Sequence, residues 1–150
     1  MIKSVGPLPW QLRKVVLPQH TDHAGVMWHG AYLAWLEEAR VEALAGVGMP
    51  YQDLVAQGFE MPVVRLEIDY LKGLHHGEHV LLKSWLLQRR GVRYPWRTEL
   101  SRLGGEKVAE ARVDLVVVRR RSKTWNVVRC LPDPLASAMQ GLARGPNQDP

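Results

Sequence analysis

Residues 30–46 read GAYLAWLEEARVEALAG. Tyr32, Leu36, Ala39 and Ala43 recur at spacings of four, three and four, so they fall on one face of a 3.6-residue period, with Leu33 and Leu44 beside them. Glu37, Glu38 and Glu42 lie elsewhere on the wheel, and Glu37 is placed to reach Arg40 one turn on. Gly46 and Gly48 stop the helix, and Pro50 opens a short second helix to about Gln57. A helix over 30–46 would be ~25 Å long, and its apolar face needs a cover of similar length.

The flanking sequence supplies that cover. Upstream, residues 10–18, WQLRKVVLP, predict a strand ended by Pro18. Downstream the period changes to two: from Val63 to Leu71, Val64, Leu66, Ile68 and Tyr70 alternate with Arg65, Glu67 and Asp69, the pattern of a half-buried strand. Further strands fit Glu78–Arg90, Arg93–Leu103, Lys107–Arg121 and Thr124–Leu131, joined at Gly77, Gly91, the Gly104–Gly105 pair and Ser122. Connections this short favour antiparallel neighbours, because a parallel crossover needs about a dozen residues or more. A last helix is expected over Pro134–Leu142. The order is an α+β one, in which one long helix and one twisted sheet must cover each other.

The 150 residues suit one domain, 1–150, with a core over about 10–131 and a short helix and tail over 132–150. With 46% hydrophobic and 23% charged residues the chain matches ordinary globular proteins, which argues against disordered and fibrous classes. Cys130 is the single cysteine, so no internal disulfide can form; it reads as a small buried hydrophobe, and a cytoplasmic location is expected. The start, MIKSVGPLPW, has no apolar run of a secretory signal, and no stretch approaches the ~18 apolar residues of a membrane span. A formal net charge of +5 points to an anionic partner without naming it: nucleic acid, a membrane surface and a phosphate-bearing small molecule all fit.

The loop ahead of the helix, HTDHAGVMWH over 20–29, carries His20, His23 and His29 around Asp22. A metal site is disfavoured, since spacings of three and six in a loop lack the i, i+4 pair of a zinc protease, and no cysteine pair completes a structural site. A plain alternative is an Asx turn at Asp22 and Gly25 leading into the helix. A functional alternative uses the unpaired N–H groups at the helix start near His29 and Gly30, which can hold an oxyanion. A carboxylate beside a carbonyl so polarised could attack it or activate water against it, the chemistry of acyl transfer.

The stretch TDHAGVMWHGAYLAWLEEAR resembles the signature of the 4-hydroxybenzoyl-CoA thioesterase-like branch of the hotdog-fold acyl-CoA thioesterases. The shared features are the loop Asp, a Gly three residues on, an aromatic–His pair, and a helical Tyr, Glu and Arg matched by Tyr32, Glu37 and Arg40. The resemblance implies a hotdog fold over about residues 10–130, a long central helix wrapped by a five- to six-stranded antiparallel sheet. It implies that Asp22 acts as nucleophile or general base, that backbone N–H groups around His29 and Gly30 polarise the thioester carbonyl, and that His29 assists, chiefly by positioning. Gly25, Trp28 and Tyr32 are then expected beside the substrate. No metal or other cofactor is implied, coenzyme A being part of the substrate, and a homodimer or homotetramer with its site at a subunit interface is expected. A second hotdog branch carries its catalytic glutamate on the central helix; with Asp22 present, Glu37, Glu38 and Glu42 read instead as a solvated or salt-bridged face.

Two basic clusters, Arg89, Arg90 and Arg93, and Arg119, Arg120 and Arg121 with Lys123, are either a solvated surface or partners for the phosphates of coenzyme A. Three other functions compete. A hotdog dehydratase would pair a histidine with an acid from the central helix, and an acyl-carrier-protein thioesterase would use the same fold on a related substrate. A basic nucleic-acid-binding protein would need the arginines and not Asp22, but no recognition helix or aromatic RNA-binding stripe is present.

Overall fold

A computed structural model describes residues 6–146. In chain order it contains β1 (Trp10–Val15), a 3-10 turn (Pro18–His20), α1 (Ala31–Gly46), α2 (Tyr51–Ala56), β2 (Phe59–Glu60), β3 (Val63–Tyr70), β4 (His79–Leu86), β5 (Arg93–Arg102), β6 (Lys107–Val116), β7 (Val118–Arg121), β8 (Thr124–Val127) and α3 (Leu135–Arg144). The main sheet runs β1-β4-β5-β6-β3, every pair antiparallel, and a small second sheet runs β2-β7-β8.

Alternation puts Val80, Leu82, Ser84 and Leu86 of β4, Tyr94, Trp96, Thr98 and Leu100 of β5, and Ala109, Ala111, Val113 and Leu115 of β6 on the inner face, where all are buried. Ser84 and Thr98 face each other in register, and their hydroxyls, 2.8 Å apart, satisfy one another inside the core. The helix contributes Tyr32, Leu36, Ala39, Ala43 and Leu44 as its periodicity predicts, together with Ala31 and Trp35. Leu33, expected beside that face, is 44% exposed. α3 adds Leu135, Ala138, Met139 and Leu142, and the Trp10 indole N–H donates to the Leu142 carbonyl at 3.0 Å.

Four expectations change. The strand expected over Lys107–Arg121 divides at Val117, fully buried, where the chain passes from the main sheet to the small one. β4 stops at Leu86, because the next residue donates to the Pro95 carbonyl at 2.8 Å and Pro95 has no N–H to return the bond. Cys130 is exposed, because β8 ends at Val127 and the chain beyond it runs over the surface. Lastly, β3 has the predicted alternation but is an edge strand that α1 does not cover: Val64 is 46% exposed, Leu66 39% and Tyr70 48%.

Candidate active site

The loop from His20 to Gly30 is tied to itself and to the sheet by backbone hydrogen bonds. Asp22 N–H donates to Val26 O at 2.8 Å, Gly25 N–H to Asp22 O at 3.0 Å, and Trp28 N–H to His20 O at 3.1 Å. Asp22 Oδ1 accepts from Ala24 N–H at 2.9 Å and Val26 N–H at 3.2 Å, which is the Asx turn anticipated from sequence. That turn closes because Gly25 takes φ +79°, a left-handed conformation open to glycine without steric cost. With Oδ1 anchored, the exposed carboxylate has a fixed orientation and leaves Oδ2 without a donor among the described residues.

Met27 is the buried pin of the loop: it is 5% exposed and its N–H donates to Leu74 O at 2.7 Å. The next three residues form the helix entrance. Ala31 N–H donates back to Trp28 O at 3.0 Å and Leu33 N–H to Gly30 O at 3.2 Å, whereas the N–H groups of His29 and Gly30 have no acceptor among the described residues. Two donors are therefore unspent at the positive end of α1, a few residues along the same closed loop from Asp22. The Trp28 ring packs against Gly30: a Cβ there would meet ring carbons at 2.2 Å, so only glycine allows the indole this position. Trp28 is 46% exposed and also meets the His29 ring edge-on at 5.3 Å.

Tyr32 has a different place from the one expected. At 2% exposure it packs edge-on against Tyr70 at 5.1 Å, and it offers no surface to a substrate on this chain; burial first, and then neighbouring Tyr70, pushes its hydroxyl pKa up. The sequence pattern puts Tyr70 on a strand and gives it no part in the site. Its hydroxyl donates to His29 O at 2.7 Å, so the last residue of β3 holds the helix entrance. Below the loop, Glu78 accepts from Arg102 Nε at 2.7 Å and from His75 N–H at 2.7 Å, and Arg102 also donates to Gly73 O at 2.9 Å. This network fixes the 73–78 turn, which bridges to Val26. The Arg102 hydrogen bond, followed by the His75 N–H, holds Glu78 below the ordinary carboxylate range.

On α1, Glu38 binds Lys14 at 2.9 Å, but the Glu37–Arg40 pair does not form within salt-bridge distance among the described residues. The first arginine cluster divides. Arg90 and Arg93 pair across the β4–β5 turn and line a cavity of about 360 Å³ with Arg65, Arg112, Glu67 and Asp114. Arg89 turns away, donating to Gly91 O at 2.6 Å and to Arg129 O, with its guanidinium 5.1 Å from the Tyr94 ring centre. The second cluster lies on the small sheet, where Arg119 covers the Phe59 ring at 5.0 Å and Arg120 the Trp125 ring at 5.8 Å.

Residues 16–140 match the thioesterase-like superfamily. The chain belongs to this family. It is 38% identical over 104 residues to a Synechocystis protein proposed to be an esterase, a match covering 69% of this chain and 63% of that one, so the chain spans less than two thirds of that relative. A Bacillus subtilis protein proposed to be an acyl-CoA thioesterase is 29% identical over 114 residues, covering 75% of this chain and 83% of its own. Among solved structures, the DHNA-CoA thioesterase of Staphylococcus aureus superposes with a TM-score of 0.73 at 27% identity, covering 79% of this chain and 78% of that one. As a family member the chain has the hotdog fold, an α+β sheet curled on one long helix.

Proposed function

We propose that the chain is an acyl-CoA thioesterase, hydrolysing a CoA thioester to the free acid and CoA without a bound metal or redox cofactor. The observation that carries this is the Asp22 loop: a carboxylate oriented by two backbone N–H groups, in one closed loop with the two unspent N–H groups of His29 and Gly30. The similarity to a protein proposed to be an acyl-CoA thioesterase and to a DHNA-CoA thioesterase supports the same chemistry.

In the step proposed, the thioester carbonyl oxygen sits on the His29 and Gly30 N–H groups. Asp22 either attacks the carbonyl carbon, giving an acyl anhydride that water then opens, or takes a proton from the water that attacks. Either route passes through a tetrahedral oxyanion, which the two N–H groups stabilise, and expels the CoA thiolate, which is then protonated. His29 and Trp28 shape the approach. The Arg90–Arg93 cavity and the Arg119–Arg121 strand are separate candidates for the CoA phosphates, and Arg89, committed to backbone carbonyls, is a weaker one. The bare apolar face of β3 and its unpaired edge support a dimer formed through that strand. A lone exposed thiol at Cys130 suits a reducing compartment, and we place the reaction in the cytoplasm.

The direct test is Asp22→Asn in a thiol-release assay over a panel of acyl-CoAs. The amide keeps the turn but can serve neither as base nor as nucleophile, so kcat should fall ~100-fold or more while substrate still binds. Turnover close to wild type would overturn the assignment.

A further inference from the structure

The two unspent donors at the entrance of α1 belong to two different peptide units, and the carbonyl of each unit is held by a different part of the chain. His29 N–H shares its peptide with Trp28 O, which accepts from Ala31 N–H at 3.0 Å within the first helical turn. Gly30 N–H shares its peptide with His29 O. No main-chain N–H among the described residues donates to that oxygen, because Leu33 N–H, next in the helix ladder, closes on Gly30 O instead. The Tyr70 hydroxyl donates to it at 2.7 Å, from the end of β3.

The 29–30 peptide needs a hold from outside the helix. Gly30 is dictated by the Trp28 ring, which leaves no room for a Cβ. Glycine restricts rotation of the preceding peptide less than any other residue, so the choice that admits Trp28 also loosens the unit carrying the Gly30 N–H. Tyr70 can clamp that unit because its own ring packs edge-on at 5.1 Å against Tyr32, which is buried in the core. The 29–30 peptide is trans, so its C=O and N–H point to opposite sides; with the oxygen fixed on the Tyr70 hydroxyl, the N–H is aimed away from Tyr70. A donor on the carbonyl also draws electron density through the amide resonance, which makes the N–H at the other end of the unit a stronger donor.

Resting on the thioesterase reading, we propose that Tyr70 is a positioning residue for the reaction: acting through the His29 carbonyl, it orients and polarises the 29–30 peptide so that Gly30 N–H meets the oxyanion aligned and strengthened. Tyr70 itself touches no reacting atom. As the thioester carbonyl becomes an oxyanion, it pulls harder on Gly30 N–H, the His29 oxygen gains negative charge, and the bond from the Tyr70 hydroxyl tightens with it. The hydroxyl is therefore worth more in the transition state than with substrate merely bound, and its loss falls on kcat and not on KM.

The experiment uses Tyr70→Phe, which keeps the ring and its packing on Tyr32 and removes only the hydroxyl, beside Tyr70→Leu, which removes both. With an acyl-CoA that the wild type hydrolyses, Tyr70→Phe should lower kcat roughly tenfold at nearly constant KM, less than the ~100-fold or more that follows outright loss of an oxyanion donor. A second readout needs no turnover: the amide nitrogen resonance of Gly30 in substrate-free protein reports hydrogen bonding at the carbonyl of its own peptide, and it should move in Tyr70→Phe while that of His29 stays. A wild-type kcat in Tyr70→Phe, with a loss only in Tyr70→Leu, means that the ring matters for packing alone and overturns the inference while the thioesterase reading stands. A fall in kcat with no movement of the Gly30 resonance, or one that recovers at high protein concentration as a dissociated oligomer re-forms, overturns it as well. No hydrolysis of any thioester by the wild type overturns the thioesterase reading and the role of Tyr70 with it, even where the Gly30 resonance moves.

Discussion

β5 and β3 are the two neighbours of β6, each hydrogen-bonded to it antiparallel, and each alternates apolar with polar residues. On β5 the inward residues Tyr94, Trp96, Thr98 and Leu100 are all buried, whereas on β3 Val64, Leu66 and Tyr70 lie open and only Ile68 is partly covered. The difference comes from position: β5 is the central strand of the sheet and β3 its edge, where α1 reaches only Tyr70, through the Tyr32 ring. Period two tells which residues share a face; what lies above that face is a tertiary fact. The strand ends differ as well. β5 ends in Arg102, which braces the 73–78 turn with ionic hydrogen bonds, and β3 ends in Tyr70, which braces His29 with one neutral bond.

The largest effect expected from this contrast is on stability. Leu100 is fully buried at the centre of the covered region, and Leu100→Ala should cost about 2–5 kcal/mol in a denaturant titration, independently of protein concentration. Leu66→Lys, on the bare strand, should cost the chain itself only about 0.5 kcal/mol. Its effect should fall on assembly: sedimentation should show the proposed dimer dissociating, and the unfolding temperature should lose its dependence on concentration. A Leu66→Lys protein as unstable as Leu100→Ala would show that β3 is covered within the chain, and would remove the contrast.

The same contrast explains what could be seen from sequence. α1 and the Asx turn at Asp22 were legible because each depends on residues within a few positions: a 3.6-residue repeat in one case, an Asp and a Gly three apart in the other. The strand over Val63–Leu71 was legible in its pattern and not in its exposure, since its cover would have to come from elsewhere. Tyr32 was expected beside substrate from its place in a motif, but it is buried in the core and packs on Tyr70, far along the chain. Arg40 looked paired with Glu37 because only their spacing was visible; both line a cavity that Met61 and Trp96 complete, yet no salt bridge joins them among the described residues. The arginines were grouped by adjacency, yet Arg89 and Arg90 are neighbours in sequence whose side chains serve opposite sides of the β4–β5 turn.

The smallest expected effect concerns the ionic brace at the end of β5. Glu78 is held below the ordinary carboxylate range by the Arg102 hydrogen bond first and the His75 N–H second. Arg102 is shared with Glu106 at 2.7 Å and is held above its own ordinary value, so the arginine stays charged throughout the acidic range. A carboxyl whose folded pKa is depressed binds protons less readily folded than unfolded. Its contribution to stability is complete above the unfolded value and is lost as pH falls through the folded value. Glu78 and Arg102 are both partly exposed and the pair is screened by solvent, so the contribution is a small one. The measurement is therefore a difference: urea midpoints of wild type and Glu78→Gln from neutral pH downwards. Glu110 is depressed in the same way by Arg97 and Lys107, and its contribution cancels between the two proteins. The wild type should be the more stable at neutral pH, and the gap should close only below the ordinary glutamate range. A gap of constant size down to the most acid point would mean that Glu78 acts through its shape and hydrogen bonds alone. Because the 73–78 turn bridges to Val26, the same substitution should also loosen the Asp22 loop, and hydrogen exchange at Val26 and Met27 should quicken in Glu78→Gln at neutral pH, where the ionic brace is fully formed in the wild type.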